Sequence, residues 1–202
     1  ATFQASLIFS IAASICARSL DSWAAFNSTK AASIGSFLSA DNLSPNSFYS
    51  KNYFSRIDDA LIYAEKLIEE GAHILDIGAE STRPGSKKIS VDLELERLIP
   101  VISILAKKYK IPISVDTYKP EVASAVLQEG ANVINDISGL SSGSAMAKVI
   151  SRHSAGIVLM HMKGTPETMQ ENPCYDNVCS EVLEFLRQKI ELNFSSFPES
   201  NS

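Results

Sequence analysis

The chain is poor in the features that mark several large protein classes. It has three cysteines in 202 residues. Cys16, Cys174 and Cys179 show no CxxC spacing and have no histidine cluster beside them. That argues against a zinc site or a disulfide scaffold and fits free thiols in a reducing compartment. Basic charge is not in excess: the formal net charge is −5. No positive field exists to hold nucleic acid or an anionic membrane surface, so an anionic substrate must be held by local groups or a metal. No GxGxxG or Walker loop follows the first apolar segment. The apolar run at residues 7–17 is too short to span a bilayer, and no basic segment precedes it to make a secretory signal.

What is present is ordinary for a globular domain. Hydrophobic residues make up 45% and charged residues 20%, enough for one domain with a sizeable core. Residues 1–33 differ from the rest. They are rich in Ser and Ala and hold one acid, Asp21, against Arg18 and Lys30. The composition fits an organellar transit segment, mitochondrial or plastid, and equally a helical linker from an upstream domain. The protein is therefore expected to be cytoplasmic or organellar and not secreted. The chain starts at Ala1 rather than Met, and we expect it to be a piece of a longer gene product.

From residue 34 onward a rhythm appears. Apolar segments at 34–40, 73–78, 111–115, 132–137 and 156–160 alternate with helical patterns. Ile57, Leu61, Ala64, Leu67 and Ile68 mark one helix face, which Gly71 can close. Leu95, Ile99, Ile102 and Ala106 mark a second, with Pro100 expected to kink it. Pro120 opens a third and Gly130 closes it. A fourth covers about 144–152 and a fifth about 175–192. Alternating strands and helices make a parallel α/β sheet.

The strands run out onto polar groups. These are Asn42, then Glu80 with Ser81, Thr82 and Arg83, then Asp116 and Thr117, then Asn135 and Asp136, then Met160, His161 and Lys163. In a parallel α/β protein the carboxyl ends share one face, where such folds place their chemistry. Asp116 can take two parallel N–H bonds from a guanine-like edge, and Asn135 can donate and accept at once on a heterocycle. Met160 can lie along a flat ring, and Arg83 can meet an anion. Each has a structural alternative: Asp116 as a helix cap, Asn135 as a turn fastener, Met160 as core. His161 and the strand residue Asp76 read as structural.

The motifs NLSPNSF, GAHILDIGAESTRPGS, ISVDTYKPEVASAVLQEGANVINDISG and IVLMHMKGTPETMQENPCYDNV resemble dihydropteroate synthase, the pterin-binding barrel of folate synthesis, in order and spacing. A corrinoid-linked methyltetrahydrofolate methyltransferase shares the barrel and the pterin, but ESTRPG and MHMKGTP are similar to the synthase. The resemblance implies a TIM-type (β/α)8 barrel, here a partial one of about five parallel strands over residues 34–202 after a leader at 1–33. It implies a sulfonamide-target transferase that joins 6-hydroxymethyl-7,8-dihydropterin diphosphate to 4-aminobenzoate with Mg²⁺. It places Asp116 and Asn135 on the pterin, Ile137 and Met160 along its ring, and Asn42 at Mg²⁺. Thr82, Arg83 and Pro84 fall in the loop that covers the aminobenzoate, with Thr82 and Arg83 acting in catalysis.

Two departures from the family pattern stand out. The family's first loop usually reads NVTPDSFSDGG. Here Asn46 and Ser50 replace its two aspartates, and Lys51 and Asn52 replace the glycine pair. The chain also carries five strand segments and none of the family's later motifs: the sixth-strand aspartate, the GFGK-type lysine, and the late Ser-Arg-Lys and Arg-x-His segments. The expectation is that residues 1–202 are inactive alone, that the family-type homodimer is doubtful, and that a truncated, inactive pterin-binding paralogue is the alternative.

Overall fold

The structure is a computed structural model. It describes residues 11–12, 31–34, 57–80, 88–163 and 174–194, the first two stretches by backbone alone. In chain order the elements are β1 (Ile11–Ala12), β2 (Ala31–Ile34), α1 (Ile57–Glu69), β3 (Ile74–Gly78), α2 (Val91–Lys108) and β4 (Ile113–Asp116). They continue with α3 (Pro120–Gln128), β5 (Val133–Asp136), α4 (Ser144–His153), β6 (Gly156–Leu159) and α5 (Val178–Phe194).

The strands form one sheet in the order β1-β6-β5-β4-β3-β2. β2 through β6 are parallel and pair in sequence order. This is the expected set of five parallel strands. Two details go beyond that expectation. The described strand that pairs with β3 sits at Ala31–Ile34, from Ala31↔Ile74 to Ile34↔Ile77; beyond Ile34 the expected segment 34–40 lies outside the described residues. A sixth strand, β1, lies antiparallel on β6. Both draw on the segment read as a leader, which supplies backbone partners to both edges of the parallel sheet.

Strand alternation sorts the side chains. Leu75 and Ile77, Ile113 and Val115, Ile134, and Ile157 and Leu159 are buried against the helices. Ala60 and Ala64 of α1, Leu98, Val101, Ile102 and Leu105 of α2, Val122 and Val126 of α3, and Met146 and Ile150 of α4 meet them. Each large side chain fully removed from water contributes about 1.5–3 kcal/mol. α2 starts at a Ser90 cap that accepts from the Leu93 N–H at 3.3 Å. It places Asp92 and Glu94 in its first turn and Lys107 and Lys108 in its last, matching its dipole. It runs as one helix through Pro100.

Three helices stop by the same device. Ala72 N–H reaches the Leu67 carbonyl and Gly71 N–H the Ile68 carbonyl; Ala131 and Gly130 do the same with Val126 and Leu127, and Ala155 and Ser154 with Ile150 and Ser151. These are Schellman caps, whose pivot residue is left-handed. The pivots are Gly71 at φ +90°, Gly130 at +111° and Ser154 at +50°. Each turns the chain directly into the following strand.

Candidate functional site

On the face opposite the apolar strand residues lies a polar line. It is built from Asp76 and Gly78 of β3, Ser114 and Asp116 of β4, and Asn135 of β5. Register sets their neighbours: Asp76 pairs with Ser114, Gly78 with Asp116, and Asp116 with Asn135. Asn135 Nδ2 donates to Asp116 Oδ1. Ser114 faces Asp76 across the β3–β4 pairing. A Cβ at Gly78 would sit 3.0 Å from Asp116 Cβ and 3.3 Å from its Oδ2. The glycine thus makes the room that the Asp116 carboxyl occupies.

Two carboxyls on adjacent strands, out of bulk water, resist ionising together. Burial pushes Asp116 up to about 8, the negative charge of Asp76 adds to this, and the Asn135 N–H opposes it. Burial also raises Asp76, against hydrogen bonds from Ser114 and Asn135. A strongly shifted acid at the carboxyl end of a parallel strand, with a second raised acid beside it, marks a candidate site.

Asp116 does not cap α3: the cap residue is Lys119, which makes no side-chain cap bond. Thr117 Oγ1 instead accepts the Lys119 N–H at 3.3 Å. Asn135 does not fasten the turn after β5. That work falls to its neighbour Asp136, fully buried on the helix side. Asp136 accepts from Ser138 N–H at 2.8 Å, Ser138 Oγ at 2.6 Å and Leu140 N–H at 3.1 Å. Burial raises Asp136, and those bonds oppose the rise.

Met160 and Ile137 follow β6 and β5 directly, and both are half-buried. Val158 pairs with Asn135, so alternation puts Met160 on the Asn135 side. His161 packs edge-on against Phe185 with ring centres 4.8 Å apart and lies 5.9 Å from Tyr175, a structural placement. Its imidazole is held low by burial, then by the Lys163 charge. A shallow open depression of about 600 Å³ lies beside it, lined by Lys163, Glu181 and Phe185 among others. None of its lining residues belongs to the Asp76–Asp116–Asn135 line. Asn42, Thr82, Arg83 and Pro84 lie outside the described residues. Among the described residues no three His, Cys, Asp or Glu side chains gather as a metal set.

Sequence reasoning missed one cluster. Glu80 reads as a ligand group at a strand end, but the structure turns it onto Tyr118 and Lys119. Those partners stand on another strand end, and no local spacing announces them.

A parallel β/α array with its polar groups at the carboxyl strand ends is the framework of barrel enzymes. The sequence matches the family model of the pterin binding enzymes over residues 40–196. It is 40% identical over 160 residues to dihydropteroate synthase of Synechocystis sp., covering 78% of this chain and 55% of that one. It is 41% identical over 163 residues to the mitochondrial folate synthesis bifunctional protein of Pisum sativum, covering 78% and 32%. The fold superposes on the crystal structure of Yersinia pestis dihydropteroate synthase in a sulfonamide drug complex. The TM-score is 0.69 at 32% identity, over 81% of this chain and 56% of that one. The chain belongs to the pterin binding enzyme family, and its five parallel strands are part of a (β/α)8 barrel. It spans about half the length of the Synechocystis enzyme and a third of the pea protein.

Proposed function

We propose that this chain carries the pterin half of a dihydropteroate synthase site. The observation that carries the reading is the Asp116–Asn135 pair. It is joined across β4 and β5, in a chain whose family binds pterins. A pterin presents an amino group beside a ring N–H. The Asp116 carboxylate can accept both in parallel, and Asn135 can reach the neighbouring ring nitrogens. Ile137 and Met160 line the flat ring.

The reaction would form a C–N bond from the amine of 4-aminobenzoate to the pterin methylene and break the C–O bond to diphosphate. The amine proton leaves with solvent. The methylene becomes cationic as diphosphate departs. Arg83 meets the leaving anion, while Thr82 and Pro84 shape the aminobenzoate side. An electron-poor methylene is protected when water is kept out.

Mg²⁺ belongs to the same reading: bound near Asn42, it would neutralise the diphosphate. An amide oxygen and phosphate oxygens are hard donors of the kind Mg²⁺ takes; Asn42 itself lies outside the described residues. The named compartment of the pea relative makes an organelle one candidate location; no helix among the described residues is long and apolar enough to cross a membrane.

Calorimetric titration with 6-hydroxymethyl-7,8-dihydropterin tests the reading. Asp116→Asn should lose about 2 kcal/mol of binding, the worth of a charge-assisted pair and an unpaired ligand donor. Equal affinity in variant and wild type would remove Asp116 from the site.

A further inference from the structure

Residues 81–87 carry Thr82, Arg83 and Pro84, and the residues on either side of that stretch are tied together. Glu80 Oε2 accepts the Ile89 N–H at 3.1 Å. Lys119 Nζ donates to Glu80 Oε2 at 2.6 Å and to the Ile89 carbonyl at 2.8 Å. One ammonium therefore holds both flanks at once. Its third bond goes to Glu94 in the first turn of α2. Tyr118 Oη donates to Glu80 Oε1 at 3.0 Å, and Arg97 Nη1 to the Ala79 carbonyl at 3.3 Å. The side chains of Lys119, Glu80 and Glu94 are only 12%, 11% and 2% exposed. Burial opposes the Lys119 charge, yet the two carboxylates outweigh it and hold the ammonium above the usual lysine range.

Such a group is costly to bury and is held in one arrangement when every bond is made. We propose that Lys119 is a positioning residue. It pins Glu80 and Ile89 to the start of α3 and to α2, and so fixes the two ends of the stretch that bears Thr82 and Arg83. A solvated surface ion pair would not do this, because its partners are free to separate. The positioning role rests on the pterin-site reading above; the clamp between the flanks does not.

Amide hydrogen exchange on the 202-residue chain tests the clamp. In Lys119→Met the Ile89 amide should exchange about tenfold faster, while the Leu75 amide of β3 and the Asn132 amide just before β5, bonded to the Pro112 and Ile113 carbonyls, keep their rates. Removing the lysine leaves two buried carboxylates facing each other. Should that variant not fold, Lys119→Met with Glu94→Leu replaces the ion pair by apolar groups and is read in the same way. Unchanged exchange at Ile89, or a rise spread equally over β3 and β5, overturns the clamp.

The role is read by titrating 4-aminobenzoate into pterin-loaded protein. Its affinity should fall about tenfold in the variant, with pterin affinity within about twofold of wild type. Equal losses for both ligands, or none, overturn the positioning role. A wild-type protein that binds no pterin sinks the proposed function and with it the positioning role; one that binds pterin but no 4-aminobenzoate overturns the positioning role alone; in either case the exchange result still decides the clamp.

Discussion

Asp116 is an acid kept where its charge is disfavoured, and that leaves a signature in stability. Its folded value, about 8, lies above the ordinary 3.8. The folded state therefore holds a proton that the unfolded chain gives up. This contribution to stability is complete below about pH 4, is lost as the pH rises towards 8, and changes no further above that. Urea unfolding between pH 4 and 8 should show wild type losing more stability than Asp116→Asn, whose amide never ionises. Parallel curves would mean that Asp116 titrates normally. The same shift couples ligand to proton. A carboxylate is needed to accept two N–H groups, so pterin affinity in wild type should rise with pH up to about 8. The sequence shows Asp116 plainly, because an acid closing the apolar run ISVD stands out. It does not show Asp76 as its electrostatic neighbour. That pairing depends on β3 and β4 lying in the register Gly78↔Asp116, which only the assembled sheet sets.

Among the elements, the helix stops carry the clearest tests. Ser154 holds φ +50°, a conformation that glycine adopts without strain. Ser154→Gly should therefore raise stability by about 0.5–1 kcal/mol, seen as a higher denaturant midpoint with an unchanged slope. Gly130 is the converse case. At φ +111° an added Cβ would lie 2.6 Å from the Ala106 Cβ of α2, so it combines a backbone penalty with a collision between helices. Gly130→Ala should cost about 2 kcal/mol or more, measured by the same unfolding curves; a neutral result would contradict the described packing. These stops also explain what could be read in advance. Gly71 and Gly130 announce themselves by residue type, whereas a serine in the same role gives no signal. The β3–β6 strands were legible as apolar runs bounded by polar groups. β2 was not: AASI is too short and too small-sided to stand out from its surroundings. Glu80 was visible, but its partners Lys119 and Glu94 were not, since long-range ion pairs follow from the fold.

For the molecule as a whole, the parallel strands present Asp116 and Asn135 on one wall, over about half the length of the dihydropteroate synthase it matches. Positioning two substrates and a leaving group in one geometry tolerates little error: a misplacement of about 1 Å can cost roughly a hundredfold in rate. Residues 1–202 by themselves should thus yield no labelled dihydropteroate from labelled 4-aminobenzoate. Robust turnover would show that these strands suffice. The order of the sheet has a bearing on synthesis too. β2, β3, β4, β5 and β6 pair strictly in the order in which they are made, so each finished β–α unit leaves an edge ready for the next strand to leave the ribosome. At about 5–20 residues per second, such a wall can grow one strand at a time while translation continues. β1 is the exception. Made first, Ile11–Ala12 has to wait for β6 at Gly156–Leu159 before it gains its partner.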